Sequence, residues 1–146
     1  MAWNKLALGA VFAALFFTPA SAGTVSITID VSDQLMYVQT DEGFNDVYPV
    51  STARKGYHTP IGDYKPTRMA KMHYSKTYDN APMPHSIFFY NGYAIHATYD
   101  KKNLGRPASH GCVRLHPTHA ARLYGMVKEA GMENTFIEIV DRKSGV

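Results

Sequence analysis

The sequence predicts a mostly-β domain, a barrel or a sandwich, with one principal helix near the C-terminus. Three observations carry this. Short runs of alternating branched and polar residues recur along the chain, separated by turn signals. Two apolar runs flank Asn91-Gly92, a strong two-residue hairpin signal. A single segment, near the end, has apolar residues at helical spacing.

In order, "TVSITIDVS" (24–32) reads as a first strand, closed by a turn at Ser32-Asp33. "QLMYVQT" (34–40) is a second strand, and "DEG" (41–43) a turn. "FNDVYPVST" (44–52) is a third, with Pro49 marking an edge or a bulge. "RKGYHTPIGDYKP" (54–66) is loop with a short strand at 61–64. Residues 67–84 show no clear period, and Pro82 and Pro84 favour a loop or lid. "SIFFYNGYAIHA" (86–97) is the hairpin, and "TYDKKNLGRPAS" (98–109) a loop. "PTHAARLYGMVKEAG" (117–131) is the helix: Pro117 suits a first helical position, Ala120, Leu123, Tyr124 and Val127 share a face, and Gly131 is a natural stop. "TFIEIVD" (135–141) is the last strand.

The amino terminus reads differently. Lys5 is followed by an uncharged run of 12 residues, Leu6 to Phe17, and then by Ala20-Ser21-Ala22, a small-x-small cleavage pattern. The run is shorter than the about 20 apolar residues that span a bilayer. Residues 1–22 are therefore expected to be a cleaved signal peptide rather than an anchor or a buried helix. The expected mature chain, 23–146, is one domain of 124 residues with no integral membrane segment. Losing Lys5 takes the net charge from +3 to +2, and there is no Lys/Arg run, so nucleic acid is not an expected partner.

The one cysteine, Cys112, lies in "ASHGCVRLHP" (108–117). In an exported chain a lone thiol makes no internal disulfide, so it pairs with another molecule, reacts, or is simply buried. Its neighbours favour reaction. A nucleophilic thiol needs a base or a positive neighbour, and N–H donors for the oxyanion it creates on a carbonyl. Gly111 permits close backbone approach, and the N–H groups of Gly111 and Cys112 are candidate donors. Two histidines are candidate bases: His110, two residues back and on the same face in extended chain, and His96, at the end of the hairpin. Arg114 shares the face as well, either to bind a substrate carboxylate or to pair with an acidic neighbour. A metal constellation of Cys112, His110, His116 and His119 lacks a standard zinc spacing and a second cysteine, so no metal is expected.

"AIHATYDKKNLGRPASHGCVRL" closely resembles the signature of the L,D-transpeptidases: an upstream histidine, a variable loop, then Ser-His-Gly-Cys, an aliphatic residue and Arg. "YPVSTARKGYHTPIGDYKP" is similar to the strand and Thr-Pro-x-Gly loop preceding that family's active site, and "MPHSIFFYNGYAIH" to its histidine-bearing hairpin. The resemblance implies the L,D-transpeptidase catalytic-domain fold and a periplasmic or cell-envelope location, with no cofactor. Its substrate would be the peptidoglycan stem peptide. Cys112 would attack the carbonyl of the third, L-configured centre, expel D-Ala and form a thioester. A second stem, an envelope protein, a free D-amino acid or water would then take the acyl group. His96 is carried over as the base and His110 as a supporting residue, with Ser109, Gly111 and Arg114 lining the site. Many members have Gly after the base histidine. Here it is Ala97, which would be strained by about 1 kcal/mol if that position needed positive φ.

Overall fold

The computed structural model describes residues 23–143 and 145. The expected signal peptide and its cleavage point after Ala22 lie outside the described residues. β1 (Val25–Asp30), β2 (Leu35–Thr40) and β3 (Asn45–Ser51) form an antiparallel meander. β4 (Gly62–Tyr64), β5 (Arg68–Ser75), β6 (Ala81–Tyr90), β7 (Tyr93–Ala97), β8 (Val113–Leu115) and β9 (Thr135–Val140) complete one sheet. The strand order is β4-β9-β1-β2-β3-β8-β7-β6-β5, with β1–β9 and β7–β8 parallel. Each parallel pair is closed by a long crossover, as parallel strands require.

Alternation decides what each strand buries. Val25, Ile27 and Ile29 of β1, Met36 and Val38 of β2, and Ile137 and Ile139 of β9 all reach one core. Ile87, Phe89, Ile95, Ala97, Val113 and Leu115 reach the same core from the other half of the sheet. Both halves therefore curl around a common centre, making a half-barrel rather than a closed barrel or a two-sheet sandwich. The helix α1 (Pro117–Ala130) fills that centre with Ala120, Leu123, Val127 and Ala130. His116 caps it, its ring nitrogen accepting from Thr118 N–H, and Gly131 at φ 93° ends it. Leu123 is fully buried. Truncating such a residue to Ala costs about 2–5 kcal/mol.

Two departures from the sequence reading are informative. Residues 67–84 are not loop: β5 and the first half of β6 form a hairpin through them. Pro82 and Pro84 are tolerated because β7 pairs with β6 only from Ile87 onward. That part of β6 has β5 as its single neighbour, so a missing N–H breaks no second ladder. Pro49 follows the same logic, since β8 joins β3 only at Val50 and Ser51. The Asn91-Gly92 turn forms as expected, with φ 38° and 85°. Ala97 is not among the residues with positive φ; it sits in β7, fully buried in the core, without the strain considered above.

Candidate active site

The segment before β8 is held by a dense set of hydrogen bonds. The N–H groups of Ala108 and Ser109 both donate to the Thr52 carbonyl, at 3.0 and 2.9 Å, and Arg54 N–H donates to the Ser109 carbonyl at 2.9 Å. Ser109 is 1% exposed. Its hydroxyl donates to the Cys112 carbonyl at 2.6 Å and accepts from Gly111 N–H at 3.0 Å. Thr59 donates to the Gly111 carbonyl at 2.8 Å and accepts from Ala53 N–H at 3.1 Å. Gly111 itself has φ 136°, and a Cβ there would strike the Tyr93 ring and come within 2.8 Å of the His58 carbonyl. Glycine is required twice over, by backbone angle and by space.

These contacts revise two expectations. Ser109 does not line an open site; it ties the turn together. Gly111 N–H is engaged by Ser109 in this state, which leaves Cys112 N–H as the remaining member of the expected donor pair.

β7 and β8 run parallel, with Ile95 opposite Val113, His96 opposite Arg114 and Ala97 opposite Leu115. Val113 and Leu115 enter the helix-filled core, so alternation turns Cys112 and Arg114 to the other face of the sheet. Cys112 packs there with Met83, Phe88 and Ala94, a second apolar cluster. Met83 and Phe88 are an odd number of residues apart, and a regular strand would separate them. His85 between them has φ 51°, an interruption that lets both share this cluster.

His96 lies on the same face, diagonal to Cys112 and 6% exposed. Its Nδ1 is 2.7 Å from the Ala97 carbonyl. A carbonyl only accepts, so Nδ1 carries the proton and Nε2 keeps its lone pair. Burial pushes the imidazole down to about 4, against the Ala97 hydrogen bond that favours its charged form. The ring is therefore neutral at pH 7. Burial also raises the Cys112 thiol, with the Ala94 backbone hydrogen bond and the Arg114 charge opposing it. The resting pair is thiol and imidazole, both neutral.

Arg114 donates to the Ala108 carbonyl at 3.4 Å, and its charge acts on His96, His110 and Cys112 together. Among the described residues the ion pairs engage Arg122, Arg142 and Lys143, not Arg114. The acidic neighbour considered for it is absent among those residues.

His110 is drawn elsewhere. Its ring stacks on Tyr78 at 4.1 Å and leans on Tyr57 at 4.7 Å. The positive φ of Gly111 breaks the extended geometry that would have set His110 beside the thiol. Desolvation lowers its pKa, with Arg54 and Arg114 adding to the effect. His116 and His119 sit at the start of α1, the first as its cap and the second stacked on Tyr48 at 4.1 Å. Among the described residues no group of three or more His, Cys, Asp or Glu is placed to hold a metal ion. Thr59, Tyr57, Tyr78, Tyr93 and the Ala97 carbonyl were not singled out from sequence. Thr59 alone had a signal, as the first residue of the Thr-Pro-x-Gly step.

Fold and site together describe a mostly-β domain of the cysteine–histidine type, with both side chains on one face of a curled sheet. The chain belongs to the L,D-transpeptidase catalytic-domain family, whose model matches residues 24–139. No curated protein matches it. Among solved structures it is similar to an L,D-transpeptidase from Stackebrandtia nassauensis, at 27% identity and TM-score 0.68, over 80% of this chain and 55% of that one. It is also similar to one from Xylanimonas cellulosilytica, at 26% identity and TM-score 0.65, over 84% and 63%. An L,D-transpeptidase from Mycobacterium tuberculosis H37Rv shares the fold, at 19% identity and TM-score 0.73, over 82% and 58%. The chain thus spans between 55% and 63% of the length of these three. No helix among the described residues is long and apolar enough to cross a membrane.

Proposed function

We propose that this chain is an L,D-transpeptidase acting on peptidoglycan stem peptides in the cell envelope, with Cys112 as nucleophile and His96 as general base. The observation that carries the reading is the state of His96: neutral, with Nδ1–H tied to the Ala97 carbonyl and Nε2 free to accept, on the face that bears the thiol.

Nε2 takes the thiol proton as Sγ attacks the carbonyl joining the L-centre to D-Ala. The carbonyl π pair moves onto oxygen, and Cys112 N–H is the donor assigned to that charge, Gly111 N–H being engaged by Ser109. Collapse breaks the C–N bond, and the imidazolium returns its proton to the departing amine of D-Ala. A thioester remains on Cys112. An acceptor amine then attacks the thioester, passes a proton to His96, and the sulfur leaves and is reprotonated. Arg114, without a carboxylate partner, holds a substrate carboxylate and damps thiolate charge. His110, between its two tyrosines, supports the rim of the site. With water as acceptor the same thioester gives a hydrolase, and an envelope protein is a further candidate acceptor.

Intact-mass spectrometry of the purified protein with stem tetrapeptide tests this. The expected result is an adduct on Cys112 with release of D-Ala, discharged by added amines. Absence of any adduct in the wild-type protein would favour a non-catalytic envelope-binding module.

A further inference from the structure

The face that carries Cys112 continues well past it. Arg68 is the registered partner of Phe88, and Phe88 of Ala94. Ala94 precedes the Ile95–Val113 pair, so Cys112 is next in line. Arg68, Phe88, Ala94 and Cys112 therefore form one row across β5, β6 and β7 to the residue before β8, and the last three pack together.

A cation stands at the end of this row. β5 is the outermost strand, where a charged residue commonly discourages edge-to-edge pairing by projecting outward. Arg68 is exposed, but its side chain leans back over the sheet. Its guanidinium lies over the Phe88 ring, 3.8 Å from the centroid, and His73 meets the same ring edge-on at 5.1 Å. Stacking occupies the flat face of the guanidinium and leaves its N–H edge available for a two-pronged carboxylate contact. None of the ion pairs among the described residues engages Arg68.

Distances on the row suit a peptide. Neighbouring strands lie about 4.8 Å apart, and Arg68 leans one strand inward, so its guanidinium sits roughly 10 Å from the Cys112 end. An extended chain covers that in about three residues.

We propose that Arg68, flanked by His73, is a carboxylate-reading subsite of the Cys112 groove, which takes a free carboxylate of the acyl donor about two to three residues from the carbonyl under attack. The donor is the partner assigned to it because the acyl group stays seated on this row through both half-reactions. This inference rests on the acyl-transfer reading of Cys112.

The test uses two donor peptides that differ only in one carboxylate, free in the first and a carboxamide in the second. The kcat/KM of acylation is read from D-Ala release, and alkylation of Cys112 by a small thiol reagent serves as a control. The wild-type protein is expected to prefer the carboxylate peptide by about tenfold or more. Arg68→Gln should erase that preference, Arg68→Lys should keep part of it, and alkylation should be unchanged in all three. Equal rates for both peptides in the wild type, or a preference that survives Arg68→Gln, overturns the subsite while leaving acyl transfer intact. Failure of the wild type to release D-Ala from either peptide removes the acyl-transfer reading, and the subsite with it.

Discussion

His96 stands opposite Arg114 in the parallel pairing of β7 and β8, two residue pairs beyond the level of Cys112 and on the same face. The imidazole is therefore diagonal to the thiol, with a guanidinium as its direct cross-strand neighbour. Arg114 and burial act on His96 in the same direction, toward the neutral ring, whereas on Cys112 the cation opposes burial. For the proposed roles, an imidazole kept neutral and a thiol kept protonated suit proton transfer during attack, rather than a stored thiolate–imidazolium pair.

Replacing Cys112 by Ala should abolish thioester formation and exchange while leaving the fold intact, since a smaller side chain at a half-buried position is tolerated. A carbapenem should acylate the wild-type protein, with the adduct on the peptide containing Cys112. Turnover by Cys112→Ala, read by D-Ala release, would remove the thiol from the mechanism.

The neutral pair sets the pH profile of alkylation. With the thiol raised by burial, the rate of reaction with iodoacetamide should climb through the alkaline range and show no plateau between pH 5 and 8. A flat, fast rate across that window is the signature of a preformed ion pair and contradicts this assignment.

His96→Ala should lower the acylation rate by about 10²–10⁴-fold, the usual span of general-base catalysis. His110→Ala should cost less, because its ring is held by Tyr57 and Tyr78 rather than aimed from the neighbouring strand. Single-turnover acylation of both variants checks this. A larger loss in His110→Ala than in His96→Ala reverses the roles.

His96 also makes stability depend on pH. Its folded value of about 4 lies below the ordinary 6.5, so the unfolded chain binds a proton that the folded chain refuses. The stabilisation is complete above pH 6.5 and lost as pH falls toward 4. The loss is about 3 kcal/mol for this group. Urea unfolding at several pH values should show a steeper acid slope for the wild type than for His96→Gln, and parallel slopes would contradict the buried neutral ring.

Thr59→Val should weaken the brace on the Gly111 carbonyl without enlarging or shrinking the side chain much. The expected cost is about 1–3 kcal/mol for the unsatisfied partners, with acylation slowed and KM for peptide little changed. A KM effect alone would place Thr59 in substrate binding instead.

Much of this protein is legible along the chain. Alternation predicted β1, β2, β3 and β9, because a half-buried strand must present apolar residues every second position. Asn91-Gly92 fixed the β6–β7 register, since few other residues accept positive φ at both turn positions. Pro117 and Gly131 bounded the helix. The lone Cys112 after a glycine, with an upstream histidine, pointed to the family. What tertiary structure decided is of another kind. Proline in β6 reads as a breaker locally, and only the absence of a second neighbour beside Pro82 and Pro84 makes it harmless. The protonation of His96 follows from burial within the sheet, where Arg114 of β8 and His73 of β5, both remote in sequence, also act on the ring. The roles of Ser109 and Thr59, and the row from Cys112 to Arg68, depend on hydrogen bonds and register between distant segments, such as Thr59 and Gly111, 52 residues apart. Local pattern sets which residues turn inward together, but which of them meet is set by packing the whole sheet around α1.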